Sequence, residues 1–172
     1  MTLPYTTPIT AIPGQPLPAA DFNTGIRDSL EALAYPPRCM AYRTTPQAVG
    51  HASVSNIVWQ AEAYDTDDMW TPGGTADRII VPRAGIYVAT LTAQFGINAA
   101  GARCLAIAKN GAGVAQWHGV GTGTWYMGGT VVCIQPMVAG DYFTGIAYQT
   151  SGVALNLDTV YPINMVVAQI GR

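Results

Sequence analysis

Charge is scarce in this sequence. Asp, Glu, Lys and Arg make up 10% of its 172 residues, against about 25% in an average domain. Eight basic and ten acidic side chains leave a formal net charge of −2 with no basic stripe. That excludes a nucleic-acid binder, which needs clustered cations to displace counterions. No apolar run approaches the ~18 residues of a membrane helix, so no membrane partner is expected. The opening MTLPYTTPIT has neither a basic n-region nor an apolar h-region, so no signal peptide is expected. Cysteine is sparse as well. Cys39, Cys104 and Cys133 are an odd count with no C-x-x-C spacing, which reads as free thiols in a reducing compartment. They have no clustered histidines, which argues against zinc.

What is present is apolar. Hydrophobic residues reach 49%, so disorder is excluded for the bulk of the chain. The length suits one domain with its own core. Charge is also unevenly spread. Residues 84–172 hold five charged side chains, and the first 83 residues hold the other thirteen. A monomer normally coats itself in charge, so a surface this neutral points to burial against other subunits.

Three segments follow in order. Residues 1–17 read as an extended arm, because Pro4, Pro8, Pro13 and Pro16 fix φ and remove donors. The arm's apolar residues, Leu17 included, suit docking on a partner. Residues 18–35 read as a short amphipathic helix, about Pro18 to Ala34. Phe22, Ile26, Leu30 and Leu33 form one stripe on it. Either Pro18 takes the first helical position or Asp21 caps the helix, and Tyr35-Pro36-Pro37 stops it. Residues 36–172 read as strand after strand. Ile86 to Gly96 alternates with period two, and Asn110-Gly111 is a strong hairpin signal. Further strands are expected over Met40–Thr44, Val54–Tyr64, Ala76–Val81, Ala102–Lys109, Ala112–Trp117, Tyr126–Met137, Asp141–Gln149, Val153–Leu157 and Ile163–Ile170. The fold class is all-β, and strands at this spacing mean an antiparallel sandwich or barrel. Val131–Ile134 and Met165–Ala168 are apolar on both faces, which suggests a second buried face. The expected subunit interface takes in Tyr87, Leu91, Phe95, Val132, Ile134, Met165 and Val167.

Four motifs in order carry a resemblance. Ile80-Val81-Pro82-Arg83-Ala84-Gly85-Ile86-Tyr87, Ala106-Ile107-Ala108-Lys109-Asn110-Gly111, Val138-Ala139-Gly140-Asp141-Tyr142-Phe143 and the closing Met165 to Gly171 resemble the complement/TNF-like jelly rolls. The resemblance spans about Arg38 to Arg172. It implies a compact homotrimer whose inner sheets meet on a threefold axis. The leader departs from secreted members of that family. Gly14-Gln15-Pro16-Leu17-Pro18-Ala19-Ala20-Asp21-Phe22-Asn23, then Ile26-Arg27-Asp28-Ser29-Leu30 and Tyr35-Pro36-Pro37, resembles a leader of tailed-bacteriophage structural proteins. That resemblance implies a virion protein made in the bacterial cytoplasm. Its partners would be the major capsid protein or other virion proteins.

Chemical constellations are weak. Asp65, Asp67 and Asp68 are the one acidic cluster, but they lack the Gly and distal Glu of a calcium loop. His51 and His118 accompany no recognisable nucleophile setting. Gly119 to Gly123 lacks the Lys-Ser/Thr of a phosphate loop. No enzyme, cofactor or metal is expected. The sequence reading is a trimeric capsid decoration or minor capsid protein, with Leu17, Phe22, Ile26, Leu30 and Leu33 as its anchor. The alternative is a tail-tip or tail-fibre receptor-binding protein. It would meet host surface glycan through Trp117, His118, Trp125 and Tyr126.

Overall fold

The computed structural model describes residues 13, 14, 16 and 18–171; the rest of the arm, with the expected anchor residue Leu17, lies outside the described residues. The chain divides into two compact units, Met1–Pro36 and Pro37–Arg172.

In the first unit the expected helix forms in three parts. They are α1 (Ala19–Phe22), a π-helical turn over Asn23–Arg27, and α2 (Asp28–Ala34). Neither expected start is found. Pro18 is the cap residue, extended at ψ 142° and without a side-chain cap bond. Its carbonyl accepts the Phe22 N–H at 3.0 Å. Asp21 sits within the first turn, where the helix dipole favours a negative charge. The Tyr35 N–H donates to Glu31 O at 2.9 Å, and the two prolines that follow end the helix. Phe22, Ile26, Leu30 and Leu33 are all exposed.

The second unit is a β-sandwich. Its strands are β1 (Arg38–Arg43), β2 (Gln47–Val49), β3 (Ser55–Asn56), β4 (Ala61–Asp65), β5 (Arg78–Ile80), β6 (Gly85–Phe95), β7 (Ala102–Lys109), β8 (Ala112–Val120), β9 (Met127–Met137), β10 (Tyr142–Gln149), β11 (Leu155–Leu157) and β12 (Ile163–Gly171). One sheet runs β2-β11-β6-β12-β1-β4 with β9 on β6; the other runs β3-β10-β7-β8 with β5 on β10. All these strand pairings are antiparallel. Tyr87, Leu91, Phe95, Met165 and Val167 from the first sheet meet Leu105, Ile107 and Phe143 from the second in a buried core.

One expected strand is two. Val54–Tyr64 keeps its apolar period, but β3 pairs with β10 in one sheet and β4 pairs with β1 in the other. Between them Ile57 and Trp59 stay buried. Their N–H groups donate to Gly145 O and Ala76 O. The chain thus changes sheets without exposing an apolar side chain at either position. Short β2 had no period long enough to read.

The resemblance motifs have physical roles. Gly85 leaves room for the amide of buried Gln169, which any Cβ there would strike. Gln169 Oε1 accepts from Arg83 Nε at 2.8 Å, and the Tyr87 hydroxyl donates to Arg83 O at 3.0 Å. Asn110 and Gly111 both have positive φ, 50° and 83°, as a type I′ hairpin turn requires. Asn110 Nδ2 donates to Asp141 Oδ1 at 2.7 Å, and Asn110 Oδ1 accepts the Tyr142 N–H at 2.9 Å. The hairpin motif and the Gly-Asp motif are therefore one interlocked pair of turns.

Candidate functional site

The register of the larger sheet builds a second face, turned away from the core. One row across it runs Tyr64, Met40, Val166, Thr90, Val132. The next runs Arg38, Ala168, Val88, Ile134. The third runs Tyr42, Asn164, Thr92, Thr130. No charged side chain projects from β6, β9 or β12 on this face. Arg38, on β1, stands in the second row, and its guanidinium lies 6.0 Å over the Tyr64 ring. Val132 is 56% and Ile134 60% exposed on β9. That strand pairs only with β6 among the described residues. An antiparallel sheet normally turns a polar face to water. A contiguous apolar face of this kind marks an interaction surface.

This corrects the expected interface. Tyr87, Leu91, Phe95, Met165 and Val167 are fully buried within their own chain. They fill the sandwich and offer nothing to a neighbour. Only Val132 and Ile134 of the seven lie on the outward face. Period two identifies two faces but not which of them meets the chain's own second sheet, and here both are apolar. Met40, Val88, Thr90, Val166 and Ala168 were the outward residues that the sequence reading passed over.

The expected receptor loop does not form one surface. Trp117 packs against the sandwich core, with its ring over Gly119 and Gly129. His118 points the opposite way, outward, directly across from Cys104. Trp125 is 75% exposed. Its N–H donates to Thr122 Oγ1 at 3.3 Å. Tyr126 instead lines a groove with Gln94, Tyr161 and Asn164. Gly121 packs against the Arg103 guanidinium, where a Cβ would come within 2.8 Å of Nη2. Its role is close packing, in place of the phosphate cradle considered from the sequence. Arg103 is itself buried and donates to the carbonyls of Asn98, Ala100 and Ala102 at 2.9–3.0 Å.

The titratable groups are arranged for structure. Asp65 Oδ1 accepts the N–H groups of Asp67 and Met69, and Oδ2 accepts that of Trp70 at 2.7 Å. Its oxygens are thus spent on folding the loop. Among the described residues no group of three or more His, Cys, Asp or Glu could hold a metal. His51 Nδ1 accepts the Gly152 N–H at 2.9 Å. Cys104 and His118 form the cross-strand pair that chemistry would need, but burial pushes the Cys104 thiol up, which disfavours the nucleophilic thiolate. Burial raises Cys39 and Cys133 too, the nearby Asp65 carboxylate adding to the effect on Cys39. All three are free.

No family model and no curated protein matches this chain. Solved structures do. Murine APRIL at pH 5.0 superposes with a TM-score of 0.61 at 12% identity, over 79% of this chain and 100% of that one. The globular domain of zebrafish complement 1qA superposes with a TM-score of 0.57 at 10% identity, over 79% of this chain and 98% of that one. The fold is a TNF/C1q-like jelly roll. This likeness carries no sign of a bacteriophage origin, so the virion reading stands on the leader residues alone. In the TNF/C1q-like frame the apolar face described above is the outward surface of the larger sheet, which contains both chain ends of the sandwich, β1 and β12.

Proposed function

We propose that this protein is a non-enzymatic, homotrimeric structural module of a tailed-phage virion. It would be made in the host cytoplasm and serve as a capsid decoration or minor capsid protein. The observation that carries the trimer is the apolar outward face of the larger sheet, on which β12, β6 and β9 bear no charged side chain. Burial stabilises such area by about 25 cal/mol per Å², and closed symmetric assemblies are the usual way to cover it. The virion role is supported by the leader resemblance over residues 14–37 and by the exposed stripe Phe22, Ile26, Leu30 and Leu33. That stripe suits an anchor on the shell.

Sedimentation of the full chain is expected to give the mass of three copies. A monomer at micromolar concentration overturns the trimer. Quantitative mass spectrometry of purified particles tests the role separately. Hundreds of copies support decoration, a handful in multiples of three support a tail component, and none removes the virion reading. The tail receptor-binding alternative is favoured by one observation, the solvent-exposed indole of Trp125. Trp125→Ala should then weaken adsorption and leave assembly intact.

A further inference from the structure

Two connections meet at the end of the sandwich that carries the Trp125 loop. One joins β2 to β3 over residues 50–54, and the other joins β10 to β11 over residues 150–154. Backbone bonds tie the second toward the Trp125 side. The Thr150 N–H donates to Ala102 O at 3.0 Å, and the Gly121 N–H donates to Gly101 O at 2.9 Å. The base of the crossing is held by groups that do not titrate. Buried Gln149 donates from Nε2 to Val49 O at 3.0 Å and to Val153 O at 2.7 Å. Its Oε1 accepts the Ser151 N–H at 2.6 Å, and its backbone carbonyl accepts the Ala52 N–H at 2.8 Å.

The tip is held differently. Gly152, at φ 89°, gives its N–H to exposed His51, whose Nδ1 accepts it at 2.9 Å. A backbone N–H can only donate, so Nδ1 must carry a lone pair and the neutral ring keeps its proton on Nε2. A protonated ring is a donor at both nitrogens. Two donors then face each other, and the bond is lost. Histidine makes that change between pH 5 and 8. Residues 44–57 and 142–157 carry no charged side chain, and their titratable groups besides His51 are Tyr142 and Tyr148. Arg103 on β7 stands across from Gln149 and stays charged throughout this range. Asp77 accepts from Asn56 Nδ2 on β3 at 2.7 Å.

We propose that His51 is a proton-operated clasp. Neutral, it holds the β10–β11 loop to the β2–β3 connection; protonated, it releases the loop tip around Gly152. The Gln149 bonds keep the base closed, so the opening is local. The clasp needs neither the trimer nor the virion role, since both partners belong to one chain.

The test is NMR of the full chain titrated from pH 8 to pH 5, following the His51 ring and the Gly152 amide together. Exchange of the Gly152 amide, corrected for the intrinsic effect of pH, should quicken about three- to tenfold, as the loss of one hydrogen bond implies. Its midpoint should match that of the His51 ring, and the Ser151 amide should hold its rate. His51→Asn offers an acceptor that does not titrate and should keep Gly152 slow at every pH. His51→Ala should show the released rate throughout. A Gly152 amide that ignores the His51 titration overturns the proposal. So does an asparagine variant whose Gly152 amide still follows pH, or an alanine variant as slow as the unmodified chain at pH 8. Equal quickening at Ser151 also overturns it, because the whole crossing would then open.

Discussion

The two faces of the larger sheet are built from the same strands and differ by one residue in register. On one side Tyr87, Leu91, Phe95, Met165 and Val167 are fully buried; on the other Val132 and Ile134 stand in solvent. Both sides are apolar along β9 and β12. Composition therefore cannot tell core from surface here, and burial within the single chain can. The same mutation should have opposite readouts on the two faces.

The largest effect belongs to the inner face. Phe95→Ala is expected to cost about 3–5 kcal/mol of folding stability, the usual range for a buried Phe. Denaturant melts read this directly, and a loss under 1 kcal/mol would break the contrast. On the outer face, Val132→Asp with Ile134→Asp should leave each chain's melt nearly unchanged and dissociate the assembly by sedimentation. A drop in folding stability comparable to that of Phe95→Ala would instead make both faces core.

Gly85→Ala comes next. The added methyl strikes the Gln169 amide, which holds Arg83 and the carbonyls of Ala84 and Gly171. We expect a loss of about 1–3 kcal/mol, the range for unpairing or overpacking a buried polar group, read from the same melts. Smaller again is the acid response of Asp141. The Val138 N–H, then Asn110 and Lys109, hold its carboxyl below the ordinary carboxylate range. Its folded value is depressed, so its contribution is full above the unfolded carboxylate value and fades as pH falls through the folded one. Asp141→Asn should flatten that acid limb of the Tm–pH profile, and an unchanged profile would remove Asp141 from it. The smallest expected effect is none. With the Asp65 oxygens engaged by backbone N–H groups, EDTA and calcium should leave Tm unmoved. A calcium-dependent rise would restore the acidic cluster as a metal site.

Much of the fold was legible because its signals are local. The Asn110-Gly111 turn, the alternation of β6 and the Gly-Asp turn each depend on a few neighbouring residues. What failed depended on distant ones. The Val54–Tyr64 run looks continuous because its apolar period survives the change of sheet. The stripe on the N-terminal helix was readable, but the π-helical turn within it left no mark in the apolar spacing. The groove was illegible for a similar reason. Gln94, Tyr126, Tyr161 and Asn164 come from separated segments, and single amides and tyrosines announce nothing.

The Asn110–Asp141 link bears on how this molecule ages. An asparagine followed by glycine is prone to deamidate, because the bare glycine N–H can reach the side-chain carbonyl carbon. Here the hydrogen bonds from Asn110 to Asp141 and from the Tyr142 N–H restrain the side chain from that attack. If the reaction did occur, a carboxylate would replace the donor 2.7 Å from Asp141. Two negative charges would then face each other where the turns interlock. The contact that joins two motifs thus also protects the chain's most perishable bond, and spontaneous chemistry there would begin to open the sandwich at that end.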